Sequence, residues 1–399
     1  MGYRTSRRVI EKEERIHAWA NRPSGALATG DVVALERAIH GQVVVPGDAD
    51  YDLASQQANP AFVRKPRLVV YCETPGDVRQ SLTFARRLDL AVRCRSGGHS
   101  TAGYSVADGC MVIDTSRMRY VHVSDEAEVP IAHVGAGSDW GYVNAVLDSF
   151  GLHVPGGGCE SVCVAGFMQG GGYGYTSRMY GMNCDNVVAV KVMLADGRIL
   201  VADERRNVPL FWAVRGGTGG NFGVLLEISY RLHRTGPLWG FGLRWRIEDA
   251  PRAILAIQDG YMRTNPSRLI GCETHGTTVD GRQMLLMRGI YRGGRADALE
   301  ALGPALATPG AELEYAALWS RRTKRFGRVA EMVAHTYRLT LAGARVGVCQ
   351  TQEQWSDESR SAGPASFSWW LSTHLSASSL SNLRRSAAST ITPARRSSR

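Results

Sequence analysis

Ala91-Val-Arg-Cys-Arg-Ser-Gly-Gly-His-Ser100 is a short apolar-patterned strand that runs directly into a glycine turn. His99 is thereby placed on a tight turn at the C-terminal end of a strand, where the ligand sites of α/β proteins gather. Working outward from it, LVVYC (68–72) is a continuous apolar run of the kind that forms a strand buried on both faces. Thr74-Pro75 then offers an N-cap and a proline at the first helical position. Val78, Leu82, Ala85 and Leu88 follow as the apolar stripe of a helix. CMVID (110–114) reads as a third strand.

A second unit continues the pattern. Ile131–Val134 is strand-like, and Asp139 caps a helix that turns Val143, Val146 and Leu147 inward and stops at Gly151. VVAVKVML (187–194) and ILVAD (199–203) form a hairpin around a D-G turn. PLFWAV (209–214) reads as a short helix and VLLEISYRL (224–232) as a strand. After residue 238, LWGFGLRWRI, a helix near 251–263, RLIGCETH, QMLLMRGIY and a helix near 295–302 suggest an antiparallel sheet with helices on one face. Residues 1–60 read as a helical lead-in, with a helix between Val33 and Ile39, and then loop.

Composition narrows the function classes. The chain has 399 residues, a net charge of +10 and 45 glycines. The charge points naively to nucleic acid or an anionic surface. Its distribution removes that reading: residues 1–320 hold 34 Lys+Arg against 33 Asp+Glu, whereas residues 321–399 hold 13 against 4. No recognisable nucleic-acid motif accompanies the basic excess. No run of about 18 apolar residues occurs, so no membrane helix is expected. The N-terminus lacks a signal-peptide pattern, and the reading is a cytoplasmic protein. The eight cysteines are scattered without a C-x-x-C pair, so neither a zinc site nor a disulfide scaffold is expected, and no metal is assigned.

The glycines carry the functional signal. Of the 45, 23 lie in residues 95–225. They cluster in Arg95-Ser-Gly-Gly-His-Ser100, Pro155-Gly-Gly-Gly-Cys159, Gly166-Phe-Met-Gln-Gly-Gly-Gly-Tyr-Gly174 and Gly216-Gly-Thr-Gly-Gly-Asn-Phe-Gly223. Glycine lets backbone approach a ligand closely, and runs of exposed N–H groups form anion-binding nests. None of the four matches G-x-G-x-x-G after a strand or the P-loop. Taken singly each is a turn; four in one α/β unit indicate one large, phosphate-bearing ligand.

The RSGGHS loop, VPGGGCESVCVAG (154–166), GGGYGYTSRMYGMNCDNV (170–187) and PLFWAVRGGTGGNFG (209–223) resemble, in order and spacing, the flavin-binding domain of the vanillyl-alcohol-oxidase superfamily. More closely, residues 62–235 resemble the berberine-bridge-enzyme-like FAD-linked oxidoreductases. The resemblance implies an α+β fold: a PCMH-type FAD-binding domain of two subdomains (62–235) and an α+β substrate domain with an antiparallel sheet, here partial (236–320), after a lead-in (1–61). It implies FAD, with His99 carrying the 8α-methyl group and Cys159 the C6 carbon. A neutral imidazole and a thiolate are both competent to attack the electrophilic ring. Arg95, Ser96, Gly97, Gly98, His99 and Ser100 would cradle the pyrophosphate through backbone N–H groups. Gly166, Gly170, Gly171, Gly174 and Val187 would line the flavin, and Asn221, Gly223 and Val224 would lie toward the adenosine end. The implied activity is hydride transfer from an alcohol, sugar or amine-bearing carbon of a small molecule to flavin N5, with dioxygen as acceptor.

The sequence departs from the family in three places. Phe167 stands where histidine is common, so a polar partner at the flavin N1/C2 edge is missing. Cys163 stands where glycine is common and is a rival thiol to Cys159, which is preferred because it follows the glycines. Beyond residue 320 no tyrosine- and asparagine-rich returning segment is seen. Residues 361–399 instead hold 12 serines and no acidic residue, a composition that cannot bury enough surface to offset chain entropy. The expectation is a disordered or frame-shifted tail over 321–399, with a reading-frame break near Trp319–Arg325. Translation of the other frames of the gene downstream decides it. The alternative function is a family member that binds FAD without turning over. No catalytic base is assigned; Tyr104 and Tyr180 lie in the motif loops, where packing is their ordinary role.

Overall fold

The computed structural model describes residues 27–124, 128–236, 238–263, 267–279, 281–318 and 370–371. Apart from Trp370–Leu371, the expected tail lies outside them, as does most of the lead-in. Two compact units part after Gly236.

The first unit contains β1 (Gln42–Val44), β2 (Leu68–Tyr71), β3 (Val92–Arg95), β4 (Met111–Asp114), β5 (Val121–Ser124), β6 (Ile131–Gly135), β7 (Leu152–His153), β8 (Val187–Met193), β9 (Ile199–Asp203), β10 (Val224–Arg231) and β11 (His233–Arg234). Four of these form a sheet in the order β1-β2-β4-β3. β2, β4 and β3 run parallel, and β1 adds antiparallel to β2. The apolar run at 68–72 is continuous because both faces of β2 are covered. Leu68 and Val70 pack with Val32, Leu35, Val78, Leu82 and Ala85 of the helices Thr29–Ala38 and Pro75–Arg87. Val69 packs on the other side with Val44, Tyr51, Ala54 and Val112.

Thr74 and Asp77 start the Pro75–Arg87 helix as a reciprocal capping box, which satisfies two of the amide groups a helix leaves bare. Asp77 does more than cap. Its buried carboxylate also accepts from the amides of His40 (3.0 Å), Gly41 (3.1 Å) and Glu73 (2.9 Å), tying β1 to the helix. Burial alone would raise its pKa; these hydrogen bonds outweigh burial and hold it below the usual aspartate value. Asp77→Ala leaves those amides without their acceptor and is expected to lower stability at pH 7 by about 3 kcal/mol. A depressed aspartate stabilises above its unfolded value, near pH 4, and ceases to do so as pH falls through the folded value. The difference between wild type and Asp77→Ala in urea titrations therefore shrinks toward pH 3; a constant difference would contradict the charge argument.

The second sheet of this unit is antiparallel, in the order β5-β6-β10-β8-β9. β8 and β9 are a hairpin closed at Asp196-Gly197, with Gly197 at φ +87°. Asp139 Oδ1 accepts from Tyr142 N at 2.8 Å and caps the helix Trp140–Ser149. Trp140, Val143 and Leu147 of that helix, Met168, Phe211 and Val214 pack against Val190, Val192, Leu225, Ile228 and Tyr230 of the sheet. β7 and β11 form a separate two-stranded pair.

The second unit is a sheet of β12 (Leu238–Arg246), β13 (Ile270–Val279), β14 (Arg282–Arg292) and β15 (Glu312–Leu318) in the order β15-β12-β14-β13, with Trp370–Leu371 pairing to β13. Alternate residues Trp239, Phe241, Leu243 and Trp245 of β12, with Leu285, Met287 and Tyr291 of β14, pack on the helices Ala250–Ile257 and Arg295–Ala301. Arg244 pairs with Glu312 (2.7 Å) and Arg288 with Glu314 (3.3 Å). The architecture is α+β. The sequence reading misses β1, in a segment read as loop; β5, whose Val-His-Val-Ser alternation is half exposed at the sheet edge; the two-residue β7 and β11; and β15, at the edge of the second sheet.

Candidate functional site

The site grows from the C-terminal ends of β3 and β4. Arg95 and Asp114 are register partners there. The Arg95 guanidinium turns inward: its Nε donates to Asp114, and its Nη1 donates to the carbonyls of Ala54 (2.6 Å) and Gln56 (3.3 Å). Arg95 is thus the buried anchor of the turn, and its side chain is committed to the protein.

The turn then folds against a loop 60 residues later. A side chain at Gly97 would begin 3.0 Å from Cys163 N and 3.1 Å from Ser161 O, so glycine lets the two loops lie this close, and any larger residue would press them apart by a few tenths of an ångström. Gly98 takes φ +69°, and its carbonyl accepts from Ala58 N at 3.1 Å. His99 Nε2 lies 3.1 Å from Ser161 Oγ, and burial lowers the pKa of its imidazole, favouring the neutral ring. Ser100 Oγ accepts from Tyr104 N at 3.1 Å.

The two candidate thiols differ sharply. Cys163 Sγ donates to Gly137 O at 3.4 Å, and burial pushes its pKa up to about 12. A thiol so protonated is a packing group, because the thiolate is the nucleophile. Cys159 Sγ lies 3.5 Å from Ser161 Oγ. The structure therefore brings His99 and Cys159 to one hydroxyl, that of Ser161.

The remaining glycine stretches meet the same region. The helix Val164–Gln169 follows Cys163 directly. Gly166 on it is exposed, with nothing within 4 Å of where a side chain would begin. Phe167 turns away into an edge-on contact with Trp140, centroids 5.2 Å apart, and fills the space beside Gly157. Gly170 closes the helix, and Gly171 follows at φ +94°. Gly174 lies directly on the carbonyl of Gly156, so the second and third stretches touch backbone to backbone. In the fourth, Thr218 N donates to Gln169 O at 3.0 Å, and a side chain at Gly220 would begin 3.5 Å from Cys94 Cβ on β3. Asn221 Nδ2 donates to Gly217 O (3.1 Å) and Thr218 Oγ1 (2.6 Å).

Val187 and Val224 open β8 and β10 and are buried in the two cores, with Gly223 at φ +129° before Val224. Tyr104 is exposed, and Tyr180 stacks on His233 at 4.2 Å. Ser161 and Gln169 were not singled out from the sequence. Only the position of Ser161, two residues after Cys159, would have drawn attention to it.

These residues fit an FAD. Backbone without side chains, as at Gly166, leaves room for a flat ring and a pyrophosphate to approach. Among the described residues no group of His, Cys, Asp or Glu is arranged to hold a metal ion, and no helix is long and apolar enough to cross a membrane.

Comparison with known proteins bears on the fold and on the cofactor. Residues 66–203 match the family described as FAD binding domain. FAD-linked oxidoreductase pgmH of Aspergillus terreus is 36% identical over 228 residues, 55% of this chain and 45% of the relative. Carbohydrate oxidase of Microdochium nivale is 32% identical over 242 residues, 59% of this chain and 48% of the relative. The crystal structure of that oxidase with a substrate analogue superposes with a TM-score of 0.66 at 28% identity, covering 77% of this chain and 64% of the other. BBE-like 1 of Physcomitrella patens gives 0.65 at 25% identity, covering 71% and 61%. The chain spans about half the length of the curated relatives it matches.

Proposed function

We propose, for a chain whose residues 66–203 are an FAD-binding domain of the berberine-bridge-enzyme-like kind, that it is an FAD-dependent oxidoreductase with its flavin tethered at His99 and Cys159. The observation that carries this reading is the meeting of the two residues, from loops 60 positions apart, on the Ser161 hydroxyl at 3.1 and 3.5 Å. His99 would carry the 8α-methyl group, and Cys159, as its thiolate, the C6 carbon.

When bound, FAD supplies a two-electron acceptor for hydride from an alcohol, sugar or amine-bearing carbon, with dioxygen as the final acceptor. The carbohydrate oxidase relative supports the sugar class among these. The chain's own residues set the conditions. Burial keeps His99 neutral, and a neutral imidazole has the lone pair that attachment needs. The protonated Cys163 stays out of the chemistry. Backbone N–H groups from Arg95 to Ser100 would face the pyrophosphate, with Gly166, Gly170, Gly171, Gly174 and Val187 toward the flavin and Asn221, Gly223 and Val224 toward the adenosine. Phe167 presents a hydrocarbon edge, packed on Trp140, and gives the ring no hydrogen bond.

A visible spectrum and intact mass of the purified full chain test the reading. The expected result is flavin absorbance and a covalent mass increase of one FAD. His99→Ala and Cys159→Ala each remove one link, and the double variant releases all flavin on acid precipitation. A folded, colourless protein of unmodified mass would overturn the proposal.

A further inference from the structure

Ser161 touches both residues read as flavin anchors, and nothing in the tethering chemistry has yet used it. It is exposed, and its backbone carbonyl closes over Gly97. We propose that Ser161 is a positioning residue for flavin attachment, whose hydroxyl holds His99 in the tautomer that leaves the reactive lone pair on Nδ1. This inference rests on the reading of His99 as an anchor.

A neutral imidazole has one N–H and one lone pair, and the hydrogen bond made at one nitrogen decides the state of the other. The hydroxyl oxygen lies 3.1 Å from His99 Nε2. With Nε2–H donating to it, the lone pair sits on Nδ1. A hydroxyl accepts and donates at once. Its own hydrogen is then directed to a second acceptor, and Cys159 Sγ, 3.5 Å away, is in range. Such an acceptor is weak as a neutral sulfur and strong as a thiolate, so the same hydroxyl favours the nucleophilic form of the second anchor. The lowered pKa of the buried ring agrees, because a protonated imidazole would have no lone pair to present.

The attachment step balances through this group. The Nδ1–C8α bond forms and one C8α–H bond breaks. Two electrons pass into the flavin and on to dioxygen, which becomes hydrogen peroxide. Of the two protons the peroxide takes up, one comes from the flavin methyl group and one from His99 Nε2–H, which departs through Ser161 Oγ. Without the hydroxyl the ring is free to take the other tautomer, and the Nε2 proton loses its fixed acceptor.

The test uses the full chain as wild type, Ser161→Ala and Ser161→Thr, each incubated with FAD in air and sampled over time. Peptide mass mapping measures the fraction of His99 peptide and of Cys159 peptide that carries flavin, across pH 6 to 9. Ser161→Ala is expected to slow attachment at His99 about tenfold, the scale of one lost hydrogen bond to a reacting group, and to move its pH profile. Ser161→Thr, which keeps the hydroxyl, restores the rate to within about twofold, on the same scale. Flavin bound without a covalent link stays equal in all three, which separates positioning from folding. Wild-type attachment rate and pH profile in Ser161→Ala would overturn the role of Ser161 alone. A wild type whose His99 peptide never gains flavin would overturn the anchor reading, and this inference with it.

Discussion

Asp114→Ala is expected to destabilise the first unit by about 3–5 kcal/mol, the range found when one partner of a buried ion pair is removed. The reason is local. Arg95 and Asp114 are both almost fully buried, and Asp114 also accepts from Ser116 N at 2.8 Å. Removing the carboxylate leaves a cation among carbonyls with no counter-charge. The loss falls at the end of β3, from which the turn carrying His99 departs, so bound flavin falls with stability. Asp114→Asn keeps hydrogen-bonding atoms and loses only charge, and its effect is the smaller of the two. Replacing the pair together, Arg95→Met with Asp114→Leu, recovers much of the loss because no charge then stays buried. Urea denaturation with flavin absorbance measures all three. A change below about 1 kcal/mol for Asp114→Ala, the scale of an exposed pair, would show that the pair is not the anchor described.

Gly174→Ala is the second large effect. Its new methyl group would land on the carbonyl of Gly156, and backbone stands on both sides of that contact. Neither can swing aside as a long side chain would, so the two loops must separate. Overpacking of this kind costs about 1–3 kcal/mol, and here it also opens the wall between two of the four glycine stretches. Flavin per protein after gel filtration is expected to fall steeply, together with Tm. Gly166→Ala is the counterpart, because nothing in the protein lies near its new methyl group. It keeps the wild-type Tm and loses flavin only if the ligand occupies that space. Wild-type flavin content in both variants would remove these loops from the binding site.

Much of the architecture was legible because it rests on local patterns. The unbroken apolar run at 68–72 announced a strand covered on both faces. Thr74-Pro75 announced the helix start, and Asp196-Gly197 the hairpin. The short strands β1 and β5 carry too few apolar residues to show a period, and they exist because β2 and β6 offer them an edge. The site was legible in type and less so in detail. Glycine-rich segments look alike in sequence. Which of them face backbone, as Gly97 and Gly174 do, and which face open space, as Gly166 does, depends on partners far along the chain. The motif draws attention to the backbone of Arg95; that its side chain pairs with Asp114 follows from the pairing of β3 with β4. By motif Val187 belongs to the flavin-lining stretch and Val224 to the adenosine-side one; by packing both belong to the cores. Ser161 is an ordinary serine until the turn at Gly97 folds over it.

β10 has a consequence for how this site can fail. Its residues Val224 and Leu226 belong to the core of the first sheet, and Leu225, Ile228 and Tyr230 to the core of the second. The strand is a party wall between the helix-side core of the first sheet and the core of the second. One glycine stretch departs from β3 in the first sheet and another leads into β10 in the second. Melting of β10 would therefore disturb both of these cores at once, and with them the glycine stretch that leads into it.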